Sequence, residues 1–531
     1  MDHQQLATTP VPNTTQPFDE IAITLSGGGY RAAAFHLGTL DLLHRLNLLQ
    51  SVHVLSTVSG GTLTGLKYAL SAAEGVSFED YYRQFFDFLA EKNVIGLGLA
   101  GLHPPRSSPF ADQLPSLIRS AAQVYAAPQM LGDKTFGILL NDQTSHIREA
   151  SFNATEFRTA NYFRFQRSAS PRARIGNGNL VVKREVAEKI RLADIAAASS
   201  CFPSAFEPLR FPDDFVWPGK LEEVRAALGD TFTECVPLMD GGIYDNQGVD
   251  SVVRAYERGN QQIGLLIVSD TTQRNPSLFK FAPEKKRGWL TLSMLVKLAW
   301  LIFIIACITS AVLLASWIVA FAGEGFRLIQ LFLYGVPFIL STFLAIALYW
   351  IRRQYQEGEK RVAELTTLEL WPFLKNLTVP DLIGLLSGRA KSLIALTAAV
   401  FMKRVRAMVY KDIKVHPSYL NRELSNLIYD LDDLGKFPDA IVEQLAPTPE
   451  LRNLTIRAEY METTLWIDDP QDLRNLIACG QSTMCFNILR YILHKRRNEL
   501  NTSGSREEDI YNRALALWEV LKKDPYAFLR R

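Results

Sequence analysis

Two long stretches without a charged residue constrain the fold of this 531-residue chain more than any other feature. Residues 298–322 are 25 uncharged residues, and residues 328–351 are another 24. A helix needs about 20 apolar residues to cross the hydrocarbon core of a bilayer. The five residues that join the stretches force neighbouring helices to run antiparallel, so the sequence predicts a transmembrane helical hairpin over residues 286–355. Two buried core helices are the alternative, but core helices of this length usually carry a polar face.

Positive charge flanks the two uncharged stretches: Lys285, Lys286, Arg287 and Lys297 precede the first, and Arg352, Arg353, Lys360 and Arg361 follow the second. The link between the stretches carries only Arg327, beside Glu324. Lysine and arginine are retained on the cytoplasmic side of a membrane. We therefore expect an integral, two-pass membrane protein whose soluble parts both face the cytoplasm. A bacterial inner membrane is the expected location, and an intracellular eukaryotic membrane is the alternative.

Composition excludes several other classes of protein. The formal net charge is +2, which gives no indication of a nucleic-acid partner. The five cysteines are scattered, which disfavours both a disulfide framework and a zinc site. Residues 1–17 are polar and contain three prolines, so we expect a disordered tail and no secretory signal.

The sequence before the hairpin alternates between strand-like and helix-like segments. Apolar runs at Ile21–Leu25, Val52–Val58, 235–242 and 263–270 predict strands, and helical spacing follows the first two. This order is typical of an α/β fold with a mostly parallel sheet covered on both faces. Residues 356–531 are mostly helical in pattern.

Three short motifs lie where predicted strands end. Ser26-Gly27-Gly28-Gly29-Tyr30-Arg31 leads into a helix, and its backbone N–H groups could hold a phosphate or an oxyanion; a plain tight turn fits equally well. Ser59 lies between a strand and a helix, in a near match to the nucleophile elbow G-x-S-x-G with Thr57 in place of the first glycine. A structural serine at a tight turn is the alternative.

The third motif is Asp240-Gly241-Gly242, which could supply a carboxylate base for a serine or could be a turn. A serine nucleophile needs a group that accepts its proton. His36, His44 and His53 are the histidines nearest Ser59 in sequence, and their positions on helix and strand favour packing or surface roles.

The order of these motifs resembles the patatin-like phospholipase family, in which a serine and an aspartate form a dyad. The resemblance extends to "RAAAFHLGTLDLL", to residues 192–211 and to "MDGGIYDNQGVDSVVR", where Asn246 matches the family and Gly248 replaces its usual proline. It covers roughly residues 20–275, with a weaker similarity in "RVRAMVYKDIK" and residues 472–493.

The resemblance implies a three-layer α/β sandwich with a central, mostly parallel sheet. A disordered tail (1–17) would precede a catalytic domain (18–285), into which the hairpin (286–355) is inserted, and a helical region (356–531) would complete it. By position, Ser59 matches the nucleophile and Asp240 the base. Gly27, Gly28 and Gly29 match the oxyanion loop, and Arg31 matches the arginine beside it.

The expected function is that of a membrane-anchored serine lipid acyl hydrolase that releases a fatty acid, with membrane lipids as both substrate and anchor. No cofactor or metal is expected, and the oligomeric state is left open. Thr57 raises an alternative, a catalytically weak or inactive membrane scaffold, and a hydrolase of a non-lipid ester or thioester is a second.

Overall fold

The computed structural model describes residues 15–103, 110, 113–203, 205–229, 234–259, 263–274, 291–325, 327–365, 376–396, 400–415, 419, 421–436, 443–498 and 505–529. The chain divides into two compact units, one of residues 1–277 and 396–531 and one of residues 278–395. The second unit interrupts the first in sequence, and its bounds are wider than those expected for the hairpin. Residues 1–14 of the expected tail, and the basic residues 285–287, lie outside the described residues.

The strands of the described residues all belong to the first unit: β1 (Ile21–Leu25), β2 (Val52–Val58), β3 (Glu149–Glu156), β4 (Asn161–Arg167), β5 (Ile175–Gly176), β6 (Val181–Val182), β7 (Leu209–Phe211), β8 (Val236–Asp240), β9 (Leu265–Asp270) and β10 (Glu423–Leu427).

The described α-helices, in chain order through both units, are α1 (Gly29–Arg45), α2 (Gly60–Ala73), α3 (Phe78–Glu91), α4 (Val94–Ala100), α5 (Leu117–Tyr125), α6 (Gly137–Asn141), α7 (Arg184–Ala187), α8 (Leu192–Ser200), α9 (Leu221–Leu228), α10 (Gly242–Asp245), α11 (Val249–Gly259), α12 (Leu292–Glu324), α13 (Leu328–Gln330), α14 (Val336–Leu365), α15 (Val379–Ala395), α16 (Phe401–Val415), α17 (Pro449–Tyr460), α18 (Pro470–Asn498) and α19 (Ser505–Lys523).

The sheet of the first unit has the order β10-β9-β1-β2-β3-β4-β5-β6, and β8 pairs with both β3 and β7. The pairs from β10 to β3 are parallel, and the remaining pairs are antiparallel. Alternate residues of β1 belong to two different hydrophobic clusters. Ile21 and Ile23 pack in the cluster that includes α1 and α2, whereas Ala22 packs in the cluster that includes Val252 of α11. The predicted three-layer α/β fold with a mostly parallel sheet is therefore confirmed.

The strand register brings the three motifs to one edge of the sheet. Leu25 at the end of β1 lies opposite Thr57 near the end of β2, so the glycine turn and Ser59 follow neighbouring strand ends. Val58 lies opposite Asn153 of β3, and the next residue of β3, Ala154, lies opposite Asp240. Parallel strands collect their carboxyl ends at one edge of the sheet, the usual position of a ligand site in such folds.

Residues that follow the second unit in sequence contribute to this sheet and its core. Strand β10 pairs with β9, and helix α18 packs closely on α1. At that helix contact a Cβ added to Gly38 would lie 2.0 Å from the Ile477 carbonyl oxygen, and one added to Gly480 would lie 2.0 Å from the Phe35 carbonyl oxygen. Helix α18 is apolar enough to cross a membrane, but 89% of its apolar window is buried, so it is a core helix.

The second unit contains two further helices that are long and apolar enough to cross a membrane, Ser293–Gly323 and Leu328–Glu357. Between them, the Arg352 guanidinium lies 3.6 Å from the Trp300 ring, and the Ser310 and Ser341 hydroxyls are 2.7 Å apart. From the first of these contacts to the second, the residue number rises in one helix and falls in the other, so the two helices run antiparallel. Only 6% and 11% of their apolar windows are buried, so they expose an unusually large apolar surface.

Candidate active site

Ser59 lies on a sharp turn between β2 and α2. Its φ of 52° and ψ of −120° place a non-glycine residue at positive φ, a strained conformation that is common at functional sites. The residues after it must be small: a Cβ at Gly60 would lie 2.0 Å from the Gly29 carbonyl oxygen, and one at Gly61 would lie 2.2 Å from that of Leu25. The turn thus has the backbone expected for a nucleophile elbow, packed directly against the glycine turn.

Thr57 fits the elbow because a second glycine makes room for it. A Cβ added to Gly65 of α2 would lie 2.4 Å from the Thr57 γ-methyl. The Thr57 hydroxyl is 3.0 Å from that of Thr62, and the Thr62 hydroxyl is 2.7 Å from that of Ser199. The Ser199 hydroxyl accepts a hydrogen bond from the Ser59 N–H at 3.0 Å. The threonine therefore belongs to a hydrogen-bond chain that holds the backbone of Ser59.

Asp240 ends β8 and is 1% exposed. One carboxylate oxygen, Oδ1, accepts a hydrogen bond of 2.7 Å from the Gly242 N–H, whereas Oδ2 has no hydrogen-bond partner among the described residues. Burial raises the pKa of Asp240 to about 6, against the lowering effects of the nearby Ser59 hydroxyl and the Gly242 N–H. The strand register brings the Ser59 turn and Asp240 to the same edge of the sheet, and the Ser59 hydroxyl lowers the pKa of Asp240.

The three histidines nearest Ser59 in sequence have other partners. The His36 ring contacts the Ser26 carbonyl and the Ser269 hydroxyl, each at 3.0 Å, and burial lowers the pKa of His36 to about 4. His44 stacks on Phe78, and Nδ1 of His53 is 2.9 Å from the His146 carbonyl. These contacts are those of packing histidines.

The glycine turn faces Ser59, since a Cβ added to Gly27 would lie 3.0 Å from the Ser59 Cβ. The Gly27 N–H donates to the Asn246 carbonyl at 3.0 Å and is thus occupied. The N–H groups of Gly28 and Gly29 have no partner among the described residues, and they lie at the N-terminus of α1. Free amide donors at a helix N-terminus favour a negative charge.

The Arg31 guanidinium is held by backbone carbonyls. Its Nη1 donates to the carbonyls of Met461 at 2.8 Å and Glu459 at 3.2 Å, and its Nη2 donates to that of Thr271 at 3.0 Å. Arg31 is 6% exposed. These bonds join α1 to residues that lie more than 200 positions later in the chain. The Arg31 Nε has no hydrogen-bond partner among the described residues.

Arg406 of α16 is a site residue that the sequence analysis did not single out. Its Nη2 donates to the Gly27 carbonyl at 3.3 Å, and the Asn246 amide oxygen accepts from its Nη2 and Nε when that amide is oriented to satisfy both groups. Its positive charge also lowers the pKa of Asp240. On the same helix face, the Tyr410 hydroxyl donates to Asp270 at 3.4 Å. In the sequence, the i, i+4 spacing of Arg406 and Tyr410 within "RVRAMVYKDIK" is the feature that could have indicated that both side chains lie on one face of a helix.

Among the described residues, no group of three or more histidine, cysteine, aspartate or glutamate side chains could hold a metal ion.

Comparison with known proteins gives a family match for part of this chain. Residues 23–253 match the family model of patatin-like phospholipases. Human GIVD cytosolic phospholipase A2 matches with 14% identity and a TM-score of 0.33, over 48% of this chain and 46% of that protein. Its complex with methyl gamma-linolenyl fluorophosphonate and terbium chloride matches with 14% identity and a TM-score of 0.30, over 48% and 41%. This chain thus spans about half of that protein.

No curated protein matches the sequence. The family match covers the glycine turn, the elbow and Asp240, and it agrees with the mostly parallel sheet. This chain therefore contains a patatin-like phospholipase domain.

Proposed function

We propose that this protein is a membrane-anchored serine lipid acyl hydrolase in which Ser59 is the nucleophile and Asp240 is the base. The observation that carries the proposal is the buried Asp240 carboxylate, whose Oδ2 has no partner among the described residues and whose neighbour is the elbow serine. A buried polar atom without a partner in a native fold calls for an explanation, and proton transfer provides one here.

The proposed reaction begins with transfer of the Ser59 hydroxyl proton to Asp240 as the serine oxygen attacks the ester carbonyl. The N–H groups of Gly28 and Gly29 then stabilise the oxyanion. Collapse of the tetrahedral intermediate breaks the ester bond, and Asp240 returns the proton to the departing alcohol. Water next attacks the acyl-enzyme and gives a proton to Asp240. Release of the fatty acid returns that proton to Ser59.

A pKa of about 6 suits Asp240 to this role. The carboxylate is mostly ionised at neutral pH, yet it is a stronger base than an exposed aspartate. Gly27 supplies no oxyanion donor in this proposal, because its N–H already has a partner, and the role given to Arg31 is to hold α1 against the carbonyls of Thr271 and Met461. The proposed oxyanion donors are therefore the backbone N–H groups of Gly28 and Gly29.

Two exposed apolar helices support membrane anchoring and a lipid substrate. Lys297 precedes the first apolar stretch, and Arg352, Arg353 and Lys360 follow the second, which supports a cytoplasmic location for both ends of the hairpin. Anchoring would raise the local concentration of lipid at Ser59 without itself setting specificity.

The test is hydrolysis of radiolabelled phospholipid and neutral lipid in mixed micelles by detergent-purified protein, with free fatty acid as the product measured. We expect fatty acid release by the wild type and none above background with Ser59→Ala. Folded wild-type protein that hydrolyses no ester in the panel would favour the inactive scaffold.

A further inference from the structure

A basic pocket lies on the first unit, between strand β4, the loop that follows it and helix α11. Its volume is about 270 Å³, and none of its lining residues belongs to the glycine turn, the elbow or the Asp240 turn. We call it the arginine pocket after the five arginines that line it: Arg164, Arg172, Arg174, Arg254 and Arg258. The proposed hydrolysis at Ser59 gives this pocket no role.

The arginine pocket carries an excess of positive charge. Asp250 pairs with Arg164 and Arg254, and Glu149 lies 3.5 Å from Arg258. With Glu257, which also lines the pocket, three carboxylates face five guanidinium groups. Arg172 and Arg174 lie in the loop after β4 and are exposed, and they have no ion-pair partner among the described residues. The pocket therefore favours an anion.

The inner wall of the pocket is preorganised. The Arg164 side chain is only 4% exposed and donates from Nε to the Ser251 hydroxyl at 2.6 Å. Its guanidinium stacks 3.7 Å from the Tyr162 ring, and that of Arg254 lies 5.3 Å from the same ring. Guanidinium groups fixed in this way lose little conformational freedom when they bind an anion.

The chemistry of the lining indicates what kind of anion fits. Besides the arginines, the lining includes the amide side chains of Gln166 and Asn177. A complementary ligand thus offers several acceptor oxygens to the arginines. The volume is at the small end for ligand sites, and the polar lining suits a headgroup and not an acyl chain.

From these observations, we infer that the arginine pocket binds a phosphate monoester, such as a glycerol phosphate. Phosphate oxygens match the fork geometry of arginine. Such a group occurs both as a free soluble ligand and as the headgroup of a phospholipid. This inference does not depend on the chemistry proposed for Ser59.

The test measures the thermal unfolding of the full-length protein in detergent micelles, because a ligand that binds the native state raises the Tm. One arm adds soluble glycerol 3-phosphate. The other adds ether-linked phosphatidic acid, which has no ester to cleave, with ether-linked phosphatidylcholine for comparison. If glycerol 3-phosphate raises the Tm, the pocket binds the free compound. If only phosphatidic acid raises the Tm, the pocket binds the group as the headgroup of a lipid.

The variant is the double substitution Arg172→Ala/Arg174→Ala, on two exposed side chains. Its charge-matched control is Arg184→Ala/Arg225→Ala, two half-exposed arginines outside the pocket. We expect the pocket variant to weaken apparent affinity about tenfold or more and the control to change it less than about twofold. The absence of a shift in both arms, or equal weakening in both variants, would overturn the inference.

Discussion

The γ-methyl of Thr57 occupies the space beside Gly65, where an added Cβ would lie only 2.4 Å from it. Gly65 lies eight residues after Thr57, on the helix α2 that packs against β2. Because Gly65 has no side chain, it leaves room for the methyl group of Thr57 at the position where an elbow usually has a glycine. A threonine at the usual glycine position is therefore compatible with the positive φ of Ser59 and the sharp turn around it.

Gly65→Ala should destabilise the protein by about 1–3 kcal/mol, because it forces a methyl group into an already filled space. Adding Thr57→Ser, which removes the γ-methyl and keeps the hydroxyl, should restore most of the lost stability. Chemical denaturation of both single variants and the double variant measures the coupling. Additive effects would show that the two residues do not compete for the same space.

Asp240→Asn should slow fatty acid release by at least about 10²-fold, the scale of a lost general base. In the wild type, kcat/KM should rise with pH through a midpoint near 6, because the base acts only when ionised and its pKa is about 6. A pH–rate profile without an acid limb in this range would contradict the assignment of Asp240 as the base.

The same substitution should also change stability in a pH-dependent way. The folded-state pKa of Asp240 is raised from 3.8 to about 6, so its ionisation costs stability as the pH rises through that interval. Asp240→Asn removes this cost, which is of the order of 3 kcal/mol above pH 7. We expect a higher Tm than wild type at pH 8 and little difference at pH 4. An equal change at both values would show that the buried charge is not the cause.

Arg406→Gln should move the acid limb of the pH–rate profile to higher pH, because the positive charge of Arg406 lowers the pKa of Asp240. Arg406→Lys, which keeps the charge, should leave that limb close to its wild-type position. Arg404→Gln is the matched control, since it removes an exposed arginine from the same helix. A similar displacement in the control would mean that overall charge, and not proximity to Asp240, sets the midpoint.

Local sequence patterns were sufficient to predict the two strands that lead into the glycine turn and the elbow. Strands β1 and β2 are mostly apolar runs, and each is followed by serine and glycine residues. They were insufficient for β3, "EASFNATE", which is central in the sheet but rich in polar residues. Its Asn153 amide donates to the Ser56 hydroxyl and the Thr57 carbonyl, and these partners come from other parts of the chain. Burial of such a strand depends on tertiary hydrogen bonds that no local pattern reveals.

The candidate site shows the same limit. The ends of predicted strands were sufficient to single out Ser59 and Asp240 as site residues. The hydrogen bond from the Gly27 N–H, however, goes to Asn246, and those of Arg31 go to residues more than 200 positions away. Arg406 reaches Gly27 from beyond the entire second unit. Contacts of this sequence separation are set by the fold, so only the structure could bring them together.

Labelling with a fluorophosphonate probe is the most direct test of the central claim that Ser59 is an activated nucleophile. We expect wild-type protein in detergent to take up one equivalent of probe, with peptide mass spectrometry assigning the adduct to Ser59. Ser59→Ala should not label, whereas Ser71→Ala, a buried serine on the helix that follows the elbow, should label normally. Labelling of Ser59→Ala, or an adduct on another serine of the wild type, would contradict the account.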